Sequence, residues 1–366
     1  MSILRKYPKT FLALVVLAVM IAISYSWTFT PHGRLDYRAA VSLRLLSFER
    51  TMQPDPNVDF EVKLPVNLVY ALSFALPKED LQEISDIVIP ARDAEIPARI
   101  YRPIVGAARA ASLPVIVFYH GGGFVVGNID IFDSLVRSLA NATTAIVVSV
   151  GYRLAPANPY PAAVEDAYAA LEWVSENIAA LGGDGTKLVV AGESAGGNLA
   201  AVVALKARDE RGPSIAGQIL YYPALDFTDT DYPSRTKFID GYGLSAEAGL
   251  AFQQAYAGHI VDKSEPYLSP IHAPSLANLP PTLMVTAGFD PLTDACIAYI
   301  ERLQTGGATA IRRHFPGMIH GFMNIGVFPA RREALDETSA FLHDLFPAAA
   351  TGKQTAVEGS ILQQFL

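Results

Sequence analysis

One stretch, Lys187-Leu-Val-Val-Ala-Gly-Glu-Ser-Ala-Gly-Gly-Asn198, constrains the fold more than any other part of the chain. The apolar, β-branched run Leu188–Val190 reads as a buried strand, and the Ala-rich segment Leu199–Ala207 reads as a helix. Between them, Gly192-Glu193-Ser194-Ala195-Gly196 has the G-x-S-x-G pattern. A strand that becomes a helix this abruptly strains the backbone at Ser194. Gly192 and Gly196 remove the side chains that would collide across the turn. The hydroxyl is lifted above the sheet, and the first free N–H groups of the helix point at whatever it attacks. A glycine-rich connection without chemistry has the same local pattern. The rest of the chain must therefore supply a base, an acid and an oxyanion site.

Elements alternate around this turn. Ser85–Pro90, Ile96–Arg102, Pro114–Tyr119, Ala145–Val150, Ile215–Tyr221, Thr282–Thr286 and Ala310–Phe315 read as strands. Helices are expected over Ile131–Ala140, Ala162–Ile178, Leu292–Leu303 and Arg331–Leu345. The unbroken run Val115-Ile-Val-Phe118 suits a parallel strand buried on both faces. The alternation predicts an α/β fold with a mostly parallel, doubly wound sheet. Asp226–Pro281 interrupts it, being rich in Gly, Pro, Ser and Tyr, with at most one helix, Ala246–Ala257. This interval reads as an insertion over the carboxyl edge of the sheet, where ligands bind in open α/β folds. Residues 31–84, with helical spacing over Arg34–Arg50 and Leu64–Leu76, would complete a helical cap. The expected organisation is an N-terminal unit 1–30, cap helices 31–84, an α/β domain 85–346 with its insertion at about 226–281, and a loose tail 347–366.

Residues 1–30 place Arg5, Lys6 and Lys9 before an apolar run from Phe11 to Ile23. A secretory signal peptide fits, with small residues at Ala22-Ile23-Ser24 for cleavage. An uncleaved membrane anchor also fits if the run extends to Phe29, with Trp27 and Phe29 as an interfacial belt, and that reading is slightly preferred. Either one exports the bulk of the protein. The remaining composition excludes more than it suggests. Net charge is −8 and no other basic block exists, which argues against nucleic acid as a partner. The single cysteine, Cys296, rules out an internal disulfide and reads as a core residue. No Cys/His spacing suggests a zinc site and no G-x-x-x-x-G-K-[ST] suggests a phosphate loop, so no metal is expected. Oligomeric state is left open.

A serine hydroxyl needs a base beside it and an acid behind the base. Of the seven histidines, His32 adjoins the N-terminal unit, His120 precedes the serine, His259 and His272 fall in the insertion, His314 in a strand and His343 in the last helix. Only His320 sits in a loop, Gly317-Met-Ile-His-Gly321, between the last strand and the last helix. It is the candidate base. The acid should end a strand between Ser194 and His320. Asp290 does so and precedes Pro291, a favoured first helical residue, so N-capping is its plain alternative role. Asp294 would support the loop, and Asp226, ending the previous strand, is the fallback acid. For the oxyanion, His120-Gly-Gly-Gly-Phe124 follows a strand and lets backbone N–H groups approach a substrate closely. Gly122, Gly123 and the N–H of Ala195 are the expected donors.

In chain order these motifs are His120-Gly-Gly-Gly-Phe124, Tyr152-Arg-Leu-Ala-Pro156, Tyr160-Pro-Ala-Ala163 with Asp166, the serine stretch, Asp290-Pro-Leu-Thr-Asp294 and His320-Gly-Phe322. Together they resemble the hormone-sensitive-lipase family of α/β-hydrolases over roughly residues 84–346. The resemblance implies a cofactor-free serine carboxylesterase for short- and medium-chain acyl esters, with Ser194, Asp290 and His320 as its triad. It also implies that Tyr152, Arg153 and Asp166 are scaffold. Glu193 departs from the aspartate common in the family but keeps a carboxylate. The N-terminus resembles that of membrane-anchored arylacetamide deacetylases. An amidase or deacetylase using the same triad is therefore the alternative. A more remote one is a non-catalytic binding protein like the gibberellin receptors, which lack the histidine that is present here. Phe227, Tyr232, Phe238, Tyr242, Phe252 and Tyr256 of the insertion could line an acyl pocket or simply form cap core.

Overall fold

The apolar runs pair into one eight-stranded sheet, whose spatial order is β10 (Ala310–Ile319), β9 (Thr282–Phe289), β8 (Gly217–Tyr221), β7 (Gly183–Glu193), β5 (Leu113–Tyr119), β6 (Ile146–Val150), β4 (Glu95–Arg102) and β3 (Glu83–Pro90). The computed structural model describes residues 8–51, 78–105 and 112–347. β3, β4 and β6 pair antiparallel in that succession. β5, β7, β8, β9 and β10 run parallel. The helices are α3 (Ile129–Thr143), α4 (Ala162–Asn177), α5 (Ala195–Glu210), α8 (Thr293–Thr305) and α9 (Pro329–Leu345).

Strand alternation sorts the apolar side chains onto two faces. Val115, Val117, Val148 and Val190 pack under α4, α5 and α8, whose Leu171, Leu199, Val203 and Tyr299 share that core. Ile116, Phe118, Val147 and Val189 pack under α3 and α9 with Leu135, Leu139, Leu335 and Phe341. Each large aliphatic side chain so buried contributes about 1.5–3 kcal/mol. α3 starts where Asn128 accepts the Ile131 N–H at 2.9 Å, and it stops at Thr144 in the left-handed region. Cys296 is fully buried, as its reading as a core residue required.

The scaffold motifs take the places expected of them. Arg153 holds Asp166 through its guanidinium at 2.7 Å, and its own N–H donates to the same carboxylate at 2.8 Å. The Tyr152 hydroxyl donates to the His120 carbonyl at 2.7 Å. The Asp166 side chain is almost wholly buried while Arg153 is 30% exposed. Asp166→Ala is therefore expected to cost about 2–3 kcal/mol, from the lost charged hydrogen bonds rather than a stranded charge. Urea midpoints of the two proteins would measure it.

Several expectations need correction. β7 begins at Gly183 and β10 runs on to Ile319, both well beyond their apolar cores. Residues 226–281 hold α6 (Pro233–Lys237) and a 3-10 turn at Pro270–His272 besides α7 (Ala246–Ala257), so they are more ordered than one helix. N-terminally, α1 (Pro8–Ser26) is followed by a hairpin of β1 (Phe29–Thr30) and β2 (Gly33–Arg34) and then by α2 (Tyr37–Thr51). Strands of two residues are too short for any periodicity to announce. The Asp36 N–H donates to Gly317 O at 2.9 Å, which ties this segment to the end of β10. Among the described residues, no helix is long and apolar enough to cross a membrane. The expected helix Leu64–Leu76 and the tail after Pro347 lie outside the described residues.

Candidate active site

Strand register brings the candidate residues together. Glu193 of β7 pairs with Tyr221 of β8, and the Ser194 N–H donates to Tyr221 O at 2.9 Å. Ser194 has φ +54°, the strained turn that the motif implied. A Cβ on Gly192 would lie 2.1 Å from Gly196 O, and one on Gly196 would lie 2.0 Å from Tyr119 O. Both glycines are therefore demanded by close backbone approach. β10 follows β9 in register as far as Phe315 opposite Ala287, then resumes with Ile319 opposite Phe289. The extra residues form a bulge, the device by which strands re-aim a side chain. His320 and Asp290 thus leave adjacent strands side by side.

The Asp290 Oδ2 to His320 Nδ1 distance is 2.9 Å, and His320 Nε2 lies 2.8 Å from Ser194 Oγ. Asp290 Oδ1 accepts the Leu292 N–H at 2.8 Å, so the carboxylate is held on both oxygens. Asp290 is fully buried, and His320 is nearly so. Burial disfavours the charged imidazolium. The Asp290 carboxylate, its hydrogen bond and the Glu193 charge outweigh that and raise the His320 pKa above its ordinary value.

Ser194 and His320 open into a cavity of about 580 Å3. Gly122, Gly123 and Ala195 line it, and their N–H groups make no backbone hydrogen bond among the described residues. For Ala195 this follows from its place at the start of α5. The walls are mostly apolar: Val126, Phe227, Ile239, Leu244, Leu250, Phe252, Ile319 and Ile325. Of the six aromatics named from the insertion, Phe227 and Phe252 face this cavity. Tyr256 instead stacks on Phe124 with centroids 3.8 Å apart, and Phe238 and Tyr242 cluster with Phe289 and His32.

The other candidates are engaged elsewhere. Asp226 lines the cavity but accepts from Thr228, Tyr232 and His272, the last at 3.0 Å. Asp294 accepts the Ser234 N–H at 2.8 Å and so steadies α6. His120 is buried and stacked on Tyr152, and burial pushes its pKa down to about 4, which keeps it neutral. His314 bonds Thr286, and His259 bonds Tyr160 O. Sequence reasoning missed the contacts that Glu193 and Tyr222 make behind His320. The one trace of them was the acidic residue preceding the serine.

Comparison with known proteins places the chain by family and fold. The alpha/beta hydrolase fold family matches residues 116–324. Esterase LipI of Mycobacterium tuberculosis is 41% identical over 264 residues, 71% of this chain and 82% of LipI. An arylesterase of Saccharolobus solfataricus is 33% identical over 287 residues, 78% of this chain and 90% of its own length. The solved structure of a hyperthermophilic esterase from Pyrobaculum calidifontis superposes with a TM-score of 0.75 at 41% identity, covering 83% of this chain and 97% of the other. The chain belongs to the α/β-hydrolase family, on its hormone-sensitive-lipase branch.

Proposed function

We propose that the chain is a serine carboxylesterase for short- to medium-chain acyl esters, working through an acyl-serine intermediate. The observation that carries this reading is the chain of hydrogen bonds Asp290–His320–Ser194, at 2.9 and 2.8 Å, ending in an apolar cavity. In this reading Ser194 Oγ attacks the ester carbonyl while His320 Nε2 takes its proton. The N–H groups of Gly122, Gly123 and Ala195 hold the oxyanion. His320 then gives the proton to the leaving alcohol, and water, activated by the same imidazole, releases the acid. Asp290 keeps the proton of the neutral ring on Nδ1, so that Nε2 is free to accept. We read residues 226–281 as the cap that covers the acyl group. The relatives named as esterases support an ester over an amide as substrate. The Arg5, Lys6 and Lys9 cluster, with the exposed Leu17, Met20 and Ile21 of α1, supports export, whether by a cleaved signal or by a retained apolar helix.

A p-nitrophenyl ester series from two to sixteen carbons, with matched acetanilides, tests the assignment. Turnover should peak among the shorter esters and exceed anilide turnover. A peak at sixteen carbons, or faster anilides, would overturn it. Phe252 tests the cap. A Cβ on Gly123 would lie 2.3 Å from its ring, so this side chain presses on the oxyanion loop and narrows the cavity. Phe252→Ala should move the preferred chain length upward. Each added methylene that gains a place in the pocket is worth about 1 kcal/mol or more. An unmoved profile would remove Phe252 from the acyl site.

A further inference from the structure

Glu193 is buried at the end of β7, one residue before Ser194. Its carboxylate lies within reach of donors on three separate elements: the Gly121 N–H in the loop after β5, the Tyr222 hydroxyl just past β8, and the Asn324 side chain in the turn after His320. The fit is close, since a Cβ on Gly121 would lie 1.7 Å from Glu193 Oε1. Tyr222 belongs to the same assembly. Its hydroxyl accepts the Met323 N–H at 3.1 Å, which leaves its own hydrogen for Glu193. Its ring stands edge-on to the His320 imidazole, with centroids 4.9 Å apart. Its backbone is held at φ +36°. A buried carboxyl met only by donors is a site shaped for the anion.

We propose that Glu193 is a positioning residue that locks the base loop, the oxyanion loop and the nucleophile turn together, and whose charge stabilises the His320 imidazolium. The inference rests on the serine-esterase reading. Asp290 and Ser194 use the two ring nitrogens of His320. Glu193 acts from behind through Tyr222, Asn324 and the field of its charge. Two carboxylates therefore face the base, Asp290 from the end of β9 and Glu193 from the end of β7, while the phenol of Tyr222 faces it from β8. Burial outweighs the charge of His320 and the three donors, so the Glu193 carboxyl stays above its ordinary value. An aspartate here would be one methylene shorter and could not span all three donors.

The test follows hydrolysis of p-nitrophenyl butyrate against pH, read at the isosbestic wavelength, for wild type, Ser194→Ala, Glu193→Gln, Glu193→Asp and Tyr222→Phe. The base must be neutral to accept a proton, so the acidic limb of kcat/KM reports the His320 pKa. An adjacent anion raises that limb, and removing the anion lowers it. Glu193→Gln should shift the limb down by about half a pH unit and cut kcat about tenfold, with KM within about twofold. Glu193→Asp and Tyr222→Phe keep the charge. Their limb should stay at the wild-type pH while kcat falls by about threefold or more. A purely structural role would lower activity without moving the limb in Glu193→Gln alone. If that variant does not fold, the other two decide. Reduced kcat at unchanged KM and unchanged melting temperature supports the proposal, and unchanged kcat, or a kcat loss that follows a lowered melting temperature, overturns it. Coincident limbs for wild type and Glu193→Gln overturn it alone. A Ser194→Ala protein as active as wild type overturns the esterase reading beneath it.

Discussion

Ser194→Ala is expected to leave at most a trace of ester hydrolysis, with kcat down by about 10^4-fold or more. The size follows from what surrounds the hydroxyl. His320 Nε2 points at Ser194 Oγ from 2.8 Å and has no other hydrogen-bond partner among the described residues. With the hydroxyl gone, the N–H groups of Gly122, Gly123 and Ala195 can still polarise a carbonyl, and that residual effect sets the floor. The fold should hardly notice. Ser194 makes no side-chain cap to α5, and its main-chain bond to Tyr221 O survives the substitution. KM and the melting temperature should therefore stay near wild type while kcat collapses. Labelling by an active-site fluorophosphonate should disappear with it. Activity persisting above about one per cent would mean that another nucleophile acts, and the reading of the whole cavity would fall.

The elements that build this site were legible to different degrees, for physical reasons. β5, β6 and the core of β7 are buried on both faces, so their apolar runs announce them directly. Asp290 and His320 could be found because each stands where a strand must end, one before Pro291 and the other beside Gly321. The bulge in β10 that sets them side by side carries no such mark. Arg312, Arg313 and His314 are exposed on that edge strand, and its apolar pattern fades after Phe315. The cap resists reading for a different reason. Leu250, Phe252 and Tyr256 all belong to α7 and look alike in sequence. Yet Leu250 stands at the exposed rim of the cavity, Phe252 on its wall, and Tyr256 is sealed against Phe124. Only the tertiary setting tells these apart. The same holds for Tyr222, whose link to Met323 spans 101 residues of chain.

Asp290→Asn should come nearly as close to abolishing activity, with kcat down about 10^3–10^4-fold and the fold intact. The Leu292 N–H already binds Asp290 Oδ1 at 2.8 Å, and that donor would keep hold of the amide oxygen in the variant. The amide nitrogen would then face His320 Nδ1. Two donors cannot face each other, so the neutral ring would move its proton to Nε2, the atom that must accept from Ser194. The side chain would remain packed and the pocket unchanged, while the base would be presented in the wrong tautomer. KM should move little, which separates this outcome from a disordered site. Asp226→Asn is the matching control. Asp226 lines the same cavity, but its bonds run to Thr228, Tyr232 and His272. Its loss should loosen the loop and lower kcat/KM by no more than about tenfold. If the two variants exchanged these effects, Asp226 would be the acid behind the base, and the register between β9 and β10 would not be what orients His320.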